Sequence, residues 1–190
     1  RLWNLLLETG EPLGLKPCGL AARDSLRIEA GLPLYGHDLA GPHDIVPTEA
    51  GYAPYVKFHK PYFIGRAHCL AQEANKKMEI VRFRLERSGA RAIHQDDPVV
   101  NRQGSHIGWV TSCTLIGGVQ MGMAWVEKRY NIPGTPIGIF PSVGGRTADV
   151  KPWADLQIGD RVLLHEAATI LSRFPDTQEK EGWHVSTTSC

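Results

Sequence analysis

The spacing of apolar positions changes once along this chain, near residue 77, and the change separates two regions of different character. Upstream, the pattern is helical and broken by turns. Leu2, Trp3, Leu5, Leu6 and Leu7 predict a helix already in mid-course at Arg1 and closed by Gly10. A second helix is expected between Gly19 and Gly31, and a third from Gly65-Arg66 to about Asn75, with Ala67, Leu70, Ala71 and Ala74 as its apolar stripe. Between them a loop runs through Gly36, Gly41, Pro42 and Pro47 to a short helical start with Thr48 as its N-cap, and Val56 to Phe58 reads as a short strand.

From Met78 the period becomes two. Val81, Phe83 and Leu85 alternate with Arg82, Arg84 and Glu86, as in a strand with one face buried and one wet. Further strand-like runs follow at Ile107 to Thr114, Gly122 to Val126, Ile137 to Phe140, Val162 to His165 and Thr169 to Ser172, punctuated by glycines and Pro133-Gly134. Short strands divided by turn residues indicate a small barrel or sandwich. Residues Ser142 to Gly159 form an irregular excursion, and Asp176 to Cys190 a loose polar tail. The expected class is α+β: an α+β region over 1–77, a β-barrel over 78–175 and a tail over 176–190.

Composition narrows the partners. The 190 residues carry a formal net charge of +1, too weak a field to gather nucleic acid or an anionic membrane, so a small molecule is the expected ligand. No apolar run reaches the length of a membrane span, and the chain reads as soluble and cytoplasmic. Cys18, Cys69, Cys113 and Cys190 lack the paired spacing of metal or redox sites and read as reduced thiols. His37 and His43 flank Asp38 and Asp44, but the loop lacks ligand spacing and is expected to be exposed, with no metal.

The helix after Gly19 holds the densest chemistry. At roughly 100° per residue, Arg23, Arg27 and Asp24 share one side, while Ala21, Ala22, Ser25, Leu26 and Ile28 share the other. Glu29 falls among the small and apolar residues, where a carboxylate needs a partner or a polar cleft.

That run, Gly19-Leu20-Ala21-Ala22-Arg23-Asp24-Ser25-Leu26-Arg27-Ile28-Glu29-Ala30-Gly31-Leu32-Pro33-Leu34-Tyr35-Gly36, resembles the signature of the aminomethyltransferase family, the T-protein of the glycine cleavage system and its folate-dependent demethylase relatives. Pro47-Thr48-Glu49-Ala50-Gly51, Phe63-Ile64-Gly65-Arg66, Gly108-Trp109-Val110-Thr111-Ser112, Met123-Ala124-Trp125-Val126 and Pro133-Gly134-Thr135 follow in the family's order. The resemblance implies that residues 1–77 are the C-terminal part of a folate-binding domain, that the barrel packs beside it, and that the chain begins after a portion bearing the catalytic aspartate. It implies tetrahydrofolate as cofactor. The one-carbon donor would be a small molecule or a lipoyl-carrier protein.

Arg23 matches the family's folate-contacting arginine. Glu29 and Arg27 would shape the same wall or form a structural pair, and Tyr35 would touch the ligand or, in the preferred reading, pack. Arg66 would bind the folate tail or tie the helix start to a carboxylate; Trp109 and Trp125 would fill the core or a domain interface. Two alternatives share the architecture: a non-catalytic folate-binding factor for iron–sulfur protein assembly, and the folate domain of a flavin-dependent dimethylglycine or sarcosine oxidase. The first carries a Lys-Gly-Cys motif where this chain has Lys60-Pro61-Tyr62, although Cys69 lies nearby.

Overall fold

The computed structural model describes residues 1–141 and 165–176. Helices α1 (Leu2–Gly10), α2 (Leu20–Glu29) and α3 (Arg66–Asn75) precede strands β1 (Met78–Leu85), β2 (Pro98–Val100), β3 (His106–Ile116), β4 (Val119–Glu127), β5 (Pro136–Ile139) and β6 (Glu166–Leu171). The strands close a barrel in the order β1-β4-β3-β2-β5-β6, with every described pairing antiparallel. Closure leaves no free sheet edge.

Alternation along β1 sends Val81, Phe83 and Leu85 into the barrel, where they meet Val99, Val110, Val126, Ile139 and Ile170. The other face of β1 departs from the sequence reading. Ile80 and Arg82 are both 1% exposed, because the helical region covers the outside of β1 and β4. Ile80 and Met123 pack there against Ile28, Ile45 and Ala50, a second apolar cluster outside the barrel. A strand predicted to be wet on one face is therefore buried on both over this stretch.

Several local expectations need correction. Val56 to Phe58 forms no strand but follows a tight helical turn over Ala53–Tyr55, where Pro54 removes a ladder donor. The α3 stripe of Ala67, Leu70, Ala71 and Ala74 is exposed, and α3 buries none of its residues. Thr48 does not cap. Its hydroxyl is buried without a partner, and the Glu49 carboxylate instead accepts from the Val46 N–H at 3.1 Å. Strand β2 went unpredicted because three residues are too few to show a period. Residues 162–164 of an expected strand, the 142–159 excursion and residues 177–190 of the tail lie outside the described residues. Among the described residues no helix is long and apolar enough to cross a membrane.

Candidate functional site

Helix α2 ends in a glycine cap: Gly31 has φ +70°, its N–H bonds the Ile28 carbonyl at 3.0 Å, and the Leu32 N–H bonds the Arg27 carbonyl at 2.7 Å. The helix does not bury the face its apolar residues suggest. Ile28 is buried together with Arg27, whereas Ala21, Ala22 and Leu26 are exposed. The cause is a polar network that draws the Arg27 side inward.

Arg27 Nε donates to Asp24 Oδ1 at 2.6 Å and Arg27 Nη1 donates to Asp38 Oδ2. Asp38 is fully buried and also accepts from the Leu34 N–H at 2.9 Å and Ser112 Oγ at 2.7 Å. A carboxylate held by a guanidinium, a hydroxyl and an amide meets the demand that a buried charge be both paired and hydrogen-bonded. One hydrogen bond from Ser112 therefore joins β3 to the loop after α2, and Ser25 Oγ lies 3.2 Å from Thr114 Oγ1 to make a second join. Arg27 thus pairs with Asp24 and Asp38 and not with Glu29.

Asp38 was missed by reasoning from sequence, which placed its loop in solvent. Its local cue is its position four residues beyond Leu34, whose amide it receives. His43 is not an exposed loop residue either: its ring stacks on Trp109 at 5.2 Å and lies 5.3 Å from Trp125. The two tryptophans are register partners on β3 and β4, so they pack at the junction of barrel and loop as expected.

Arg23 behaves differently from Arg27. It is exposed on α2, and among the described residues its guanidinium makes no hydrogen bond or ion pair, although its main-chain N–H bonds the Gly19 carbonyl at 3.3 Å. Leu20 and Leu26, three residues to either side, are 81% and 64% exposed, which sets a free guanidinium between two uncovered leucines on one helix face. Glu29 is half-buried; its main-chain carbonyl receives Arg82 Nη2 at 3.4 Å, and its carboxylate has no hydrogen-bond partner among the described residues. Tyr35 does not pack: it is 81% exposed.

Arg66 donates from Nε to the Lys60 carbonyl at 2.9 Å and from Nη2 to the Phe58 carbonyl at 3.0 Å, so its partners are carbonyls of the preceding loop rather than a carboxylate. Glu49, buried in the second Glu-Ala-Gly segment, has its pKa raised above 4.5 by burial, against the opposing hydrogen bond from Val46. Chemically, the α2 face offers one guanidinium for a planar anion and apolar surface for flat rings.

Comparison with known proteins places this geometry. The family model described as the GCVT N-terminal domain matches residues 1–60. The aminomethyltransferase of Chlorobaculum tepidum is 42% identical over 139 residues, covering 72% of this chain and 37% of that protein. The aminomethyltransferase of Desulforamulus reducens is 39% identical over 143 residues, 74% of this chain and 38% of that protein. The crystal structure of the glycine cleavage system aminomethyltransferase T from Bartonella henselae superposes with a TM-score of 0.59 at 25% identity, over 81% of this chain and 38% of that one. The chain thus spans a little over a third of the length of the relatives it matches. By sequence and by fold, it belongs to the aminomethyltransferase family.

Proposed function

We propose that this chain serves tetrahydrofolate-dependent one-carbon transfer of the aminomethyltransferase type, with Arg23 as its ligand-binding arginine. The observation that carries this reading is the division of labour on α2: Arg27 is tied to Asp24 and Asp38, while Arg23 stays unpaired between exposed Leu20 and Leu26. Folate is a flat pterin with anionic carboxylates at the far end, and this donor set fits it: a fork for a carboxylate or pterin edge and leucines for the rings. When bound, tetrahydrofolate supplies the N5 nucleophile that takes up the one-carbon unit from a small-molecule donor or a lipoyl-carrier protein.

The chain's own residues hold and orient. Arg23 binds, Glu29 stands half-buried at the end of the same helix, and exposed Tyr35 follows after the turn, so all three are proposed for the ligand side. Arg66 orders the loop before α3 through its carbonyl bonds, and we assign any contact with a folate tail to that loop. The arrangement suits catalysis by proximity, in which positioning lowers the barrier. The three described cysteines are unpaired, which supports a reducing, cytoplasmic setting.

The test is a calorimetric titration with 5-formyltetrahydrofolate. Arg23→Ala is expected to weaken binding at least about tenfold, the loss of one charge-assisted pair, while leaving the melting temperature unchanged. Equal affinity in the variant, or no binding by the unaltered chain, overturns the reading.

A further inference from the structure

Arg173 lies just beyond β6, more than a hundred residues from the segments it contacts. Its Nε donates to the Ala50 carbonyl at 2.9 Å and its Nη1 to the Gly31 carbonyl at 2.6 Å. These carbonyls belong to the two Glu-Ala-Gly segments of the chain, 29–31 and 49–51. Both glycines lie against Arg173, and Gly31 also lies against Arg82, whose Cδ would stand 2.8 Å from a Cβ there. A Cβ on Gly31 would stand 2.9 Å from the Arg173 carbonyl oxygen and 3.1 Å from Nη1, and one on Gly51 would stand 3.1 Å from Arg173 Cγ. Each glycine also has positive φ, +70° and +83°.

The socket is finished by rings. The guanidinium carbon lies 4.5 Å from the Phe174 ring centre and 5.8 Å from that of Tyr52. Arg82 on β1 reinforces it from below, donating to the Ser172 carbonyl at 3.0 Å and the Glu29 carbonyl at 3.4 Å. Two guanidinia rooted in the barrel thus grip the main chain at the end of α2 and the turn at Ala50. Carbonyl contacts of this kind fix distance and direction, which apolar contact alone does not.

We propose that Arg173 is a positioning residue: from the barrel it sets where α2 stands, and through α2 the placing of Arg23 and Glu29, without touching a ligand itself. The placement of α2 stands on the contacts above; its consequence for a ligand rests on the folate reading. Arg173→Met keeps the apolar stem and removes both hydrogen bonds, so it separates fastening from bulk.

The experiment is amide hydrogen exchange on the full chain. In Arg173→Met the amides of residues 20–31 and 48–52 are expected to exchange about tenfold faster while those of β3 and β4 keep their wild-type rates, a local opening rather than a global one. Arg173→Lys, with a single head for two carbonyls, recovers part of the protection. Should Arg173→Met fail to fold, Gly51→Ala, which intrudes on the same stem, is expected to give the same local pattern. Unchanged exchange in these segments, or an equal rise across the barrel, overturns the proposal. Titration with 5-formyltetrahydrofolate adds the second arm. Binding weakened about tenfold in Arg173→Met, equal to the exchange effect, supports positioning, and unaltered affinity overturns it. If the wild-type chain binds no folate, the functional reading fails while the exchange pattern still decides the role of Arg173.

Discussion

The inside of the barrel and its outer layer are both buried, yet they are held by different forces. Inside, Val81, Phe83, Val110, Val126 and Ile170 form an apolar core with no charge among them. Outside, the smaller cluster of Ile28, Ile45, Ala50, Ile80 and Met123 is accompanied by buried Arg27, Asp38 and Arg82 and the inserted Arg173. Apolar burial favours compactness without choosing a register, whereas guanidinium bonds to a given carboxylate or carbonyl select one arrangement. The barrel can stand on packing because strand pairing already fixes its register. Among the described residues the helical layer has no ladder to the barrel, and polar anchors take that role.

The largest effects come from striking each region at its centre. Phe83→Ala empties a fully buried ring site and is expected to cost about 3–5 kcal/mol. Asp38→Ala leaves Arg27 buried beside one remaining, partly exposed carboxylate, and is also expected to cost about 3–5 kcal/mol. The two should differ in kind. Urea unfolding should show one cooperative loss for Phe83→Ala, while Asp38→Ala should loosen residues 20–40 first, detected as early exchange in α2. A loss below about 1 kcal/mol for Asp38→Ala, the scale of an exposed pair, would erase the contrast.

How far the sequence announced each region follows from the same difference. The barrel interior was legible because period two over Val81, Phe83 and Leu85 reports burial directly. The outer layer was not. Arg82 sits at a position that alternation assigns to solvent, and it is buried because the turn at Thr48–Tyr52 packs on β1 and the end of α2 meets its guanidinium. Asp38 and His43 looked like loop polarity because their partners, Ser112 and the tryptophans, lie far away in sequence. Arg23 and Arg27 look alike in a helical projection. Which one is free was decided by Asp38, a residue outside the helix. Arg173 carried no local signal, since its sockets are two Glu-Ala-Gly turns far upstream.

A smaller effect sharpens the outer side of the comparison through pH. Burial raises the Glu49 pKa above its ordinary 4.5 in the folded chain. Between 4.5 and the raised value, the folded chain keeps a proton that the unfolded chain has released. Stability from this group is therefore present below that window and lost as pH rises through it. Glu79 works the other way: burial opposes its ionisation, but hydrogen bonds from Lys76 and Asn131 outweigh that and lower its pKa, so its stabilisation is lost as pH falls. Glu49→Gln isolates the first effect. The stability difference between wild type and Glu49→Gln should decline as pH rises across the window, with a slope of at most about 1.4 kcal/mol per pH unit. A flat difference would show that the Val46 amide fully offsets the burial of Glu49.

The weakest perturbation leaves stability untouched and probes the barrel side. Cys113, on β3, packs against the barrel core and lines a cavity of about 430 Å³ with Ala90, Ile93 and Gln120. Burial pushes its thiol up to about 12, Asp97 adding to the rise and the Thr114 amide opposing it. At pH 8.5 its thiolate population is then on the order of 10³ below that of a free thiol, so alkylation by iodoacetamide should be slowest at Cys113, with exposed Cys18 ahead of it. Site-resolved mass spectrometry over pH 7 to 10, a range that brackets an ordinary thiol, reads this without any substitution. Cys113 labelling as readily as Cys18 would mean that water solvates this end of the barrel, and the division between an apolar interior and a polar-anchored exterior would lose its interior half.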